Sequence, residues 1–476
     1  MINKLKSGHW PIFMFSSLSS FANLFLPIIL VRMITPEQMG HYKIFFLYMS
    51  AIPFFFLTGG PINSVYYWVG KQSEEKKQYI EACFNLAIIL SLLILVIGIP
   101  FAGYFSQILN MPVNYFLAML VASFSWVPAS FFSETSIATG KQIRGSIFAT
   151  SFELIKVVGF ISIASLDYEL AYIFYFYAIL YFIKMILNIG LSTKNNYLKF
   201  NFNKNKTIDV FKYCLPISLA GLLGFFVDKV DMLILSSYLS PENFAYYSMG
   251  CLVIPPLILL EMSVQKILIP KLSKAFTNNE NSKALGDFKK AISDIAFILV
   301  PAIFGLYFFA EPIVELLYTN KYSASAAYLK IFAFSYFLYI FPHDSVPRAT
   351  GKTGWILKIY LLTTPITLIA VFLAVKHATA QHALMIAIAL KFLPKIAGLK
   401  YSSKIMKWNI LEMIPWTRLF IFTFFSIALG YASLAAQPYF NSKLQWFFVC
   451  APIFAVIYLG SLYYKFRNSE SNSNDN

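Results

Sequence analysis

The chain has 476 residues, 58% of them hydrophobic and 13% charged, with a mean hydropathy of +0.64. That composition excludes an ordinary soluble fold and describes a chain whose main solvent is lipid. The net charge of +16 would suit nucleic acid, but the basic residues recur in segments between apolar runs, so membrane topology accounts for the excess and no nucleic-acid partner is expected.

Apolar runs of about 20 residues follow one another from end to end, each able to cross roughly 30 Å of hydrocarbon as a helix. Spans are predicted near 10–34, 42–66, 79–104, 112–138, 146–166, 169–191, 211–237 and 243–269. Six more lie near 291–318, 325–347, 354–375, 381–402, 414–436 and 444–464. The first follows Lys4 and Lys6, exceeds a signal-peptide core and has no convincing cleavage site, so it is expected to be retained. Alternate loops are basic: Lys71, Lys76 and Lys77; Lys141 and Arg144; Lys194, Lys199, Lys204 and Lys206. The pattern continues through Lys271 to Lys290, Arg348 and Lys352, Lys400 to Lys407, and Lys465 with Arg467. The opposite loops are nearly bare of Lys and Arg. By the positive-inside rule both termini are cytoplasmic and the span number is even, most simply fourteen.

Cys83, Cys214, Cys251 and Cys450 sit apart in or beside apolar runs, with neither metal-site nor disulfide spacing, and read as small hydrophobes. No metal or cofactor is expected. Pro53, Pro61, Pro128, Pro255, Pro256 and Pro365 interrupt spans and permit bends. The abundant Tyr and Phe are read mainly as interfacial anchors.

The chain repeats itself. Positions 11/216, 36/241, 37/242 and 42/247 match as Pro, Pro, Glu and Tyr at a constant offset of 205, and Ala138-Thr139-Gly140-Lys141 recurs as Ala349-Thr350-Gly351-Lys352 at an offset of 211. Six spans fall in each half, which predicts parallel repeats related by a pseudo-twofold axis along the membrane normal. The expected organisation is a six-helix lobe over 1–206, a second over 207–407, two extra helices over 408–467 and a disordered polar tail over 468–476. Gly351-Lys352-Thr353 is no phosphate loop, since Val346 stands where that motif needs its first Gly.

The seventh span carries Asp228, Lys229 and Asp231. Charges at membrane depth usually face a bundle interior or a watered cavity. Gly221, Gly224, Asp228 and Asp231 share one helix face, while Lys229 is rotated off it. In the repeat register Ser16, Ser19 and Asn23 lie under Gly221, Gly224 and Asp228, so the polar stripe is duplicated and the charge is not. An ion pair that only fixes packing is the alternative reading. Lys391 and Lys395 share a face of the twelfth span, and Glu261, one turn before Gln265, can partner either. Such lysines suit a phosphate or diphosphate. Arg32 lies near the outer end of the first span, as a cavity group or an interfacial anchor. Glu134, Glu153, Lys156, Lys184, Lys266, His343 and Asp344 fall near cytoplasmic span ends and read mainly as snorkelling groups.

Met33-Ile34-Thr35-Pro36-Glu37 through Gly40-His41-Tyr42, with its second copy from Pro216 through Asp231 to Ser240-Pro241-Glu242 and Tyr247, resembles the signature of polysaccharide-repeat or O-antigen flippases in the multidrug, oligosaccharidyl-lipid and polysaccharide exporter superfamily. Ala245 replaces the usual Gly of that copy. The resemblance implies an all-α, MATE-like integral membrane fold of about 14 transmembrane helices, with two six-helix lobes around a central cavity. It implies a non-enzymatic flippase of the bacterial inner membrane, carrying a polyprenyl-diphosphate-linked oligosaccharide from the cytoplasmic to the periplasmic leaflet by alternating access for surface polysaccharide such as O-antigen lipopolysaccharide.

On that resemblance Asp228, Lys229, Asp231 and Glu261 face the cavity. With Lys391, Lys395 and Arg32 added from the reading of the residues themselves, the expected substrate and cavity residues are Lys229, Lys391, Lys395, Arg32 and Glu261, and Asp228 and Asp231 are expected to couple transport to H+ or Na+. Membrane lipids and a polysaccharide polymerase are the implied partners. The alternatives are a multidrug exporter or a lipid II flippase of the same superfamily. A membrane polysaccharide polymerase would need a catalytic external loop, and the external loops here are short and mostly uncharged. Topology reporters fused at Asn110 and Asn203 should read external and cytoplasmic respectively; the reverse at either site would overturn the orientation.

Overall fold

The computed structural model describes residues 10–70, 75–199, 201–352 and 354–474, with the backbone alone for 10, 11, 13 and 461–474. Lys4, Lys6, Lys71, Thr353 and the last two residues of the expected tail lie outside the described residues. The described chain is helical throughout, and every predicted span falls on helix. In order these are α1 (Trp10–Leu30), α2 (Pro36–Phe55), α3 (Gly59–Gly70), α4 (Lys76–Gly98), α5 (Ala102–Ile108), α6 (Val113–Trp126), α7 (Phe131–Ala138), α8 (Gln142–Ser165), α9 (Leu170–Lys194) and α10 (Lys204–Tyr238). There follow α11 (Pro241–Gly250), α12 (Pro255–Thr277), α13 (Asn281–Phe308), α14 (Ala310–Tyr318), α15 (Ser325–Ala333), α16 (Ser345–Ala349), α17 (Gly354–His377), α18 (Ala380–Met406), α19 (Ile410–Met413), α20 (Trp416–Ala436) and α21 (Lys443–Asn474). Among the described residues nine single helices are long and apolar enough to cross a membrane, and three bent pairs raise this to as many as twelve. The predicted first span is a shorter apolar helix, and the tenth is broken into α15, a 3-10 segment over Phe334–Tyr339 and α16.

The breaks follow the prolines. α2 and α3 meet at 57° just after Pro53, and α11 and α12 at 46° where Pro255-Pro256 opens the second helix. Pro128 starts a 3-10 turn between α6 and α7, whose loosened backbone is met by the fully buried Asn188 of α9. The Asn188 amide donates to the Pro128 carbonyl, and its oxygen accepts from the Phe132 N–H. A polar side chain thus replaces the missing helical bonds where no water is at hand. Pro365 remains inside the single helix α17.

Both repeated motifs prove to be helix boundaries. Thr35 caps α2 in a capping box with Gln38 and puts Pro36 at the first turn; Ser240 likewise accepts from the Asn243 N–H (3.3 Å) ahead of α11 and its Pro241. The other motif ends α7 and α16. Gly140 and Gly351 have φ of +84° and +71°, and the next residue reaches back along the chain, Lys141 N–H to the Ser136 carbonyl (2.7 Å) and Lys352 N–H to the Pro347 carbonyl (2.8 Å). This is a Schellman stop, which needs a left-handed residue and so favours glycine.

The chain forms two compact units, Met1–Ala245 and Tyr246–Asn476. In the first, Phe45 stacks on Phe174 at 4.2 Å beside Tyr177 and Phe160, so these rings build the core where an anchoring role was expected for the aromatics generally. In the second, α13 is enclosed by α12, α15, α20 and α21 around buried Ile292, Leu299, Ile303 and Tyr336. All four cysteines are buried. α10 belongs to the first unit by packing, against α2, α3 and α4, with Phe225 stacked on Phe54 at 4.8 Å; a lobe boundary at 206/207 rests on the sequence repeat.

Gly40 of the first signature lies against the backbone of Pro241 in the second, and a Cβ there would stand 1.8 Å from the Pro241 carbonyl oxygen. Backbone cannot swing aside as a side-chain tip can. Gly40→Ala should therefore cost about 1–3 kcal/mol, read as a lower midpoint of thermal unfolding in detergent; an unchanged midpoint would mean the two helix starts separate freely.

Candidate functional site

Among the described residues, two clusters of paired charged groups lie within or beside the predicted spans, one in each unit. The first is built on α8, where Glu153 and Lys156 stand three residues apart and pair at 2.5 Å. Asn23 of α1 closes the pair, accepting from Lys156 Nζ at 2.6 Å and donating to Glu153 Oε2 at 3.1 Å. Tyr181 of α9 donates to the other carboxylate oxygen at 2.6 Å. Lys184, one turn on, lays its ammonium over the Tyr181 and Phe152 rings at 4.9 and 5.4 Å. Lys156 and Lys184 are 8% and 6% exposed. Snorkelling therefore does not explain Glu153, Lys156 or Lys184; burial has exchanged water for a shared carboxylate, an amide and aromatic faces. One acid and two bases leave the cluster formally positive.

The polar stripe of α1 has a defined task here. Ser19 donates to Thr150 (3.2 Å), Thr150 to the Phe15 carbonyl (3.2 Å), and Asn23 holds the ion pair, so the stripe seats α1 on α8.

The second cluster joins α12, α18 and the broken tenth span. Glu261, 7% exposed, accepts from Gln265 at 3.0 Å and lies 3.4 Å from Lys395 Nζ, whose ammonium also stands 5.9 Å from the Tyr339 ring. Of the two lysines open to Glu261, the structure pairs it with Lys395; Lys391 lies one turn earlier, half-buried. His343 and Asp344, both 6% exposed, fill the break before α16. Asp344 binds Arg348 at 2.6 Å, and Gly398 of α18 approaches His343 so closely that a Cβ would stand 2.8 Å from the imidazole. His343 is thus packed and Asp344 paired, again unlike snorkelling groups, whereas Lys266 is exposed as expected.

The seventh-span charges occupy α10 at unequal depth from solvent. Asp231 is 3% exposed, Lys229 half-buried and Asp228 exposed, so one helix stripe holds one buried and one open carboxylate. Asp228 lies roughly 36 Å from the start of α10 at 1.5 Å per residue. Arg32 is exposed just past α1, and its guanidinium donates to the Ile28 carbonyl. Among the described residues no group of His, Cys, Asp or Glu is placed to hold a metal ion.

Sequence reasoning passed over the α8 cluster. Its signal was present: Asn23 is the repeat counterpart of Asp228, and Glu153 with Lys156 has ion-pair spacing on a helix.

A family described as "Polysaccharide biosynthesis protein" matches residues 29–327, more than half of the chain. The chain belongs to this family. A capsular polysaccharide biosynthesis protein, CapF, of Staphylococcus aureus is 24% identical over 79% of this chain and 94% of its own length. The probable low-salt glycan biosynthesis flippase Agl15 of Haloferax volcanii is 22% identical over 33% of each chain. Among solved structures, the lipid II flippase MurJ in an inward closed conformation superposes with a TM-score of 0.75 at 14% identity, covering 95% of this chain and 99% of its own, which establishes a shared fold. The family segment contains Glu153, Lys156, Tyr181 and Lys184 of the α8 cluster together with Asp228, Asp231 and Glu261, but begins after Asn23 and ends before Lys391 and Lys395.

If Lys395 and Glu261 neutralise each other, removing only the acid strands a half-buried ammonium. Glu261→Gln should cost about 3 kcal/mol, and Lys395→Met added to it should recover most of that loss in thermal unfolding. A double variant no more stable than the single one would show that the two groups do not act as a pair.

Proposed function

We propose that this protein is a flippase for a polyprenyl-diphosphate-linked oligosaccharide, moving it from the cytoplasmic to the outer leaflet of the bacterial inner membrane by alternating access. The observation that carries this reading is the family match over residues 29–327 on a fold shared with a lipid II flippase. A glycan flippase among the relatives supports it further. The charged groups fit the same task. A diphosphate is a compact anion suited to ammonium groups in a low-dielectric setting, and Lys229, Lys391, Lys395 and Arg32 are offered for it, with Glu261 setting the orientation of Lys395. Asp228 and Asp231 are offered for the coupling cation, H+ or Na+, because a carboxylate near the protein interior changes its affinity for a proton or metal cation as its surroundings open and close. No covalent step is assigned to the protein, and a polysaccharide polymerase is its expected downstream partner. The distribution of Lys and Arg supports a cytoplasmic position for both termini.

Deletion of the gene should remove surface polysaccharide and leave the lipid-linked saccharide in the cytoplasmic leaflet. Normal surface polysaccharide with new sensitivity to cationic drugs would instead identify a multidrug exporter. In the complemented strain, Asp228→Ala or Lys229→Ala at normal protein level should cut surface polysaccharide about tenfold or more, the scale of removing one charge-assisted hydrogen bond. Full activity in both would make these residues structural.

A further inference from the structure

The repeat has a second expression, on the surface of each unit. In the first unit a groove of about 530 Å³ runs between α6 and α9; in the second, one of about 780 Å³ runs between α15 and α18. They are counterparts: Val121, Tyr175 and Phe182 line the first where Ile331, Met385 and Phe392 line the second, all at an offset of 210. Both walls are almost wholly apolar, and both volumes lie in the range of ligand sites.

Only the second groove has a charged mouth. Lys330, at the position Leu120 holds in the first half, lines both the groove and an adjoining polar recess of about 270 Å³. That recess is walled by Glu311, Glu315 and Lys443. Glu311 accepts from Lys443 at 2.7 Å and from Lys330 at 2.9 Å, so one carboxylate holds the two ammonium groups side by side. Each lysine carries three N–H donors and gives one to Glu311, which leaves donors for a further acceptor. Glu315, one turn along α14, lines the recess without sharing that triad. Two acids and two bases make the recess neutral. A purely anionic headgroup would leave it negative, whereas a zwitterion leaves it neutral and meets both signs.

We infer that the α15/α18 groove binds one chain of a zwitterionic glycerophospholipid, with the lipid phosphate on Lys330 and Lys443 and its ammonium beside Glu315. The lipid is a fixed ligand of the second unit, independent of the saccharide carried. The first groove, lacking the charged mouth, has no headgroup selectivity.

The test is native mass spectrometry of the full chain in detergent, with phosphatidylethanolamine and phosphatidylglycerol supplied in equal amounts. One phosphatidylethanolamine should be retained in preference to phosphatidylglycerol. Lys330→Ala should lower its occupancy about tenfold, and Ala389→Trp, which fills the groove from an exposed position, should lower it with Lys330 intact. Glu315→Gln makes the recess positive and should turn the preference toward phosphatidylglycerol. Equal retention of the two lipids by the unaltered chain, or retention unchanged in the Lys330 and Ala389 variants, would overturn the site. An unaltered preference in Glu315→Gln would overturn the headgroup assignment. Because the readout is bound lipid, it stays the same whether saccharide transport fails or succeeds.

Discussion

In hydrocarbon every backbone N–H and C=O must find its partner within the protein, and this structure is arranged around the places where the helix alone cannot supply one. At Pro128 the side chain of Asn188 stands in for the missing bonds, and a charged or watered substitute would have no place there. At the ends of α7 and α16 a glycine in the left-handed region turns the last carbonyls back into hydrogen bonds. At the starts of α2 and α11 a Thr or Ser accepts a first-turn N–H, and Pro removes a donor that would otherwise be orphaned. Breaks handled in this way put bends and short helices at fixed points of the membrane-spanning segments.

The same constraint governs the charges. A buried ammonium or carboxylate is tolerated only with a partner, and each cluster found here supplies one within its own unit: Glu153 with Lys156 and Asn23, Glu261 with Lys395 and Gln265, Asp344 with Arg348. Such pairs are poor sources of net stability, so their presence in a chain otherwise greasy enough to do without them speaks for use. Lys184 over two aromatic faces is the strongest such case, because rings stabilise a cation without neutralising it.

Duplication has been used unevenly. The helix boundaries were kept in both halves because they specify backbone geometry: Thr35-Pro36 with Ser240-Pro241, Gly140 with Gly351. Side chains between those boundaries were free to differ, so Asn23 stands opposite Asp228 and Leu120 opposite Lys330. The two helix starts even touch, with Gly40 against Pro241, so the copied motif is also a packing surface.

The sequence by itself determined the solvent of the fold, the approximate place of each span, the duplication and the family signature. These follow from local properties: apolar length against bilayer thickness, the φ a glycine permits, the donor a proline lacks. It also pointed to Glu261 and its lysines. What it left undecided is who meets whom across helices. Glu153, Lys156 and Lys184 looked like snorkelling groups because distance along one helix says nothing of what Asn23, Tyr181 and Phe152 bring from others. Asp228 and Asp231 share a stripe on a helical wheel, yet one is exposed and the other buried, since burial belongs to neighbouring helices. Only tertiary packing, which sets the partner and therefore the cost of each charge, could decide these points.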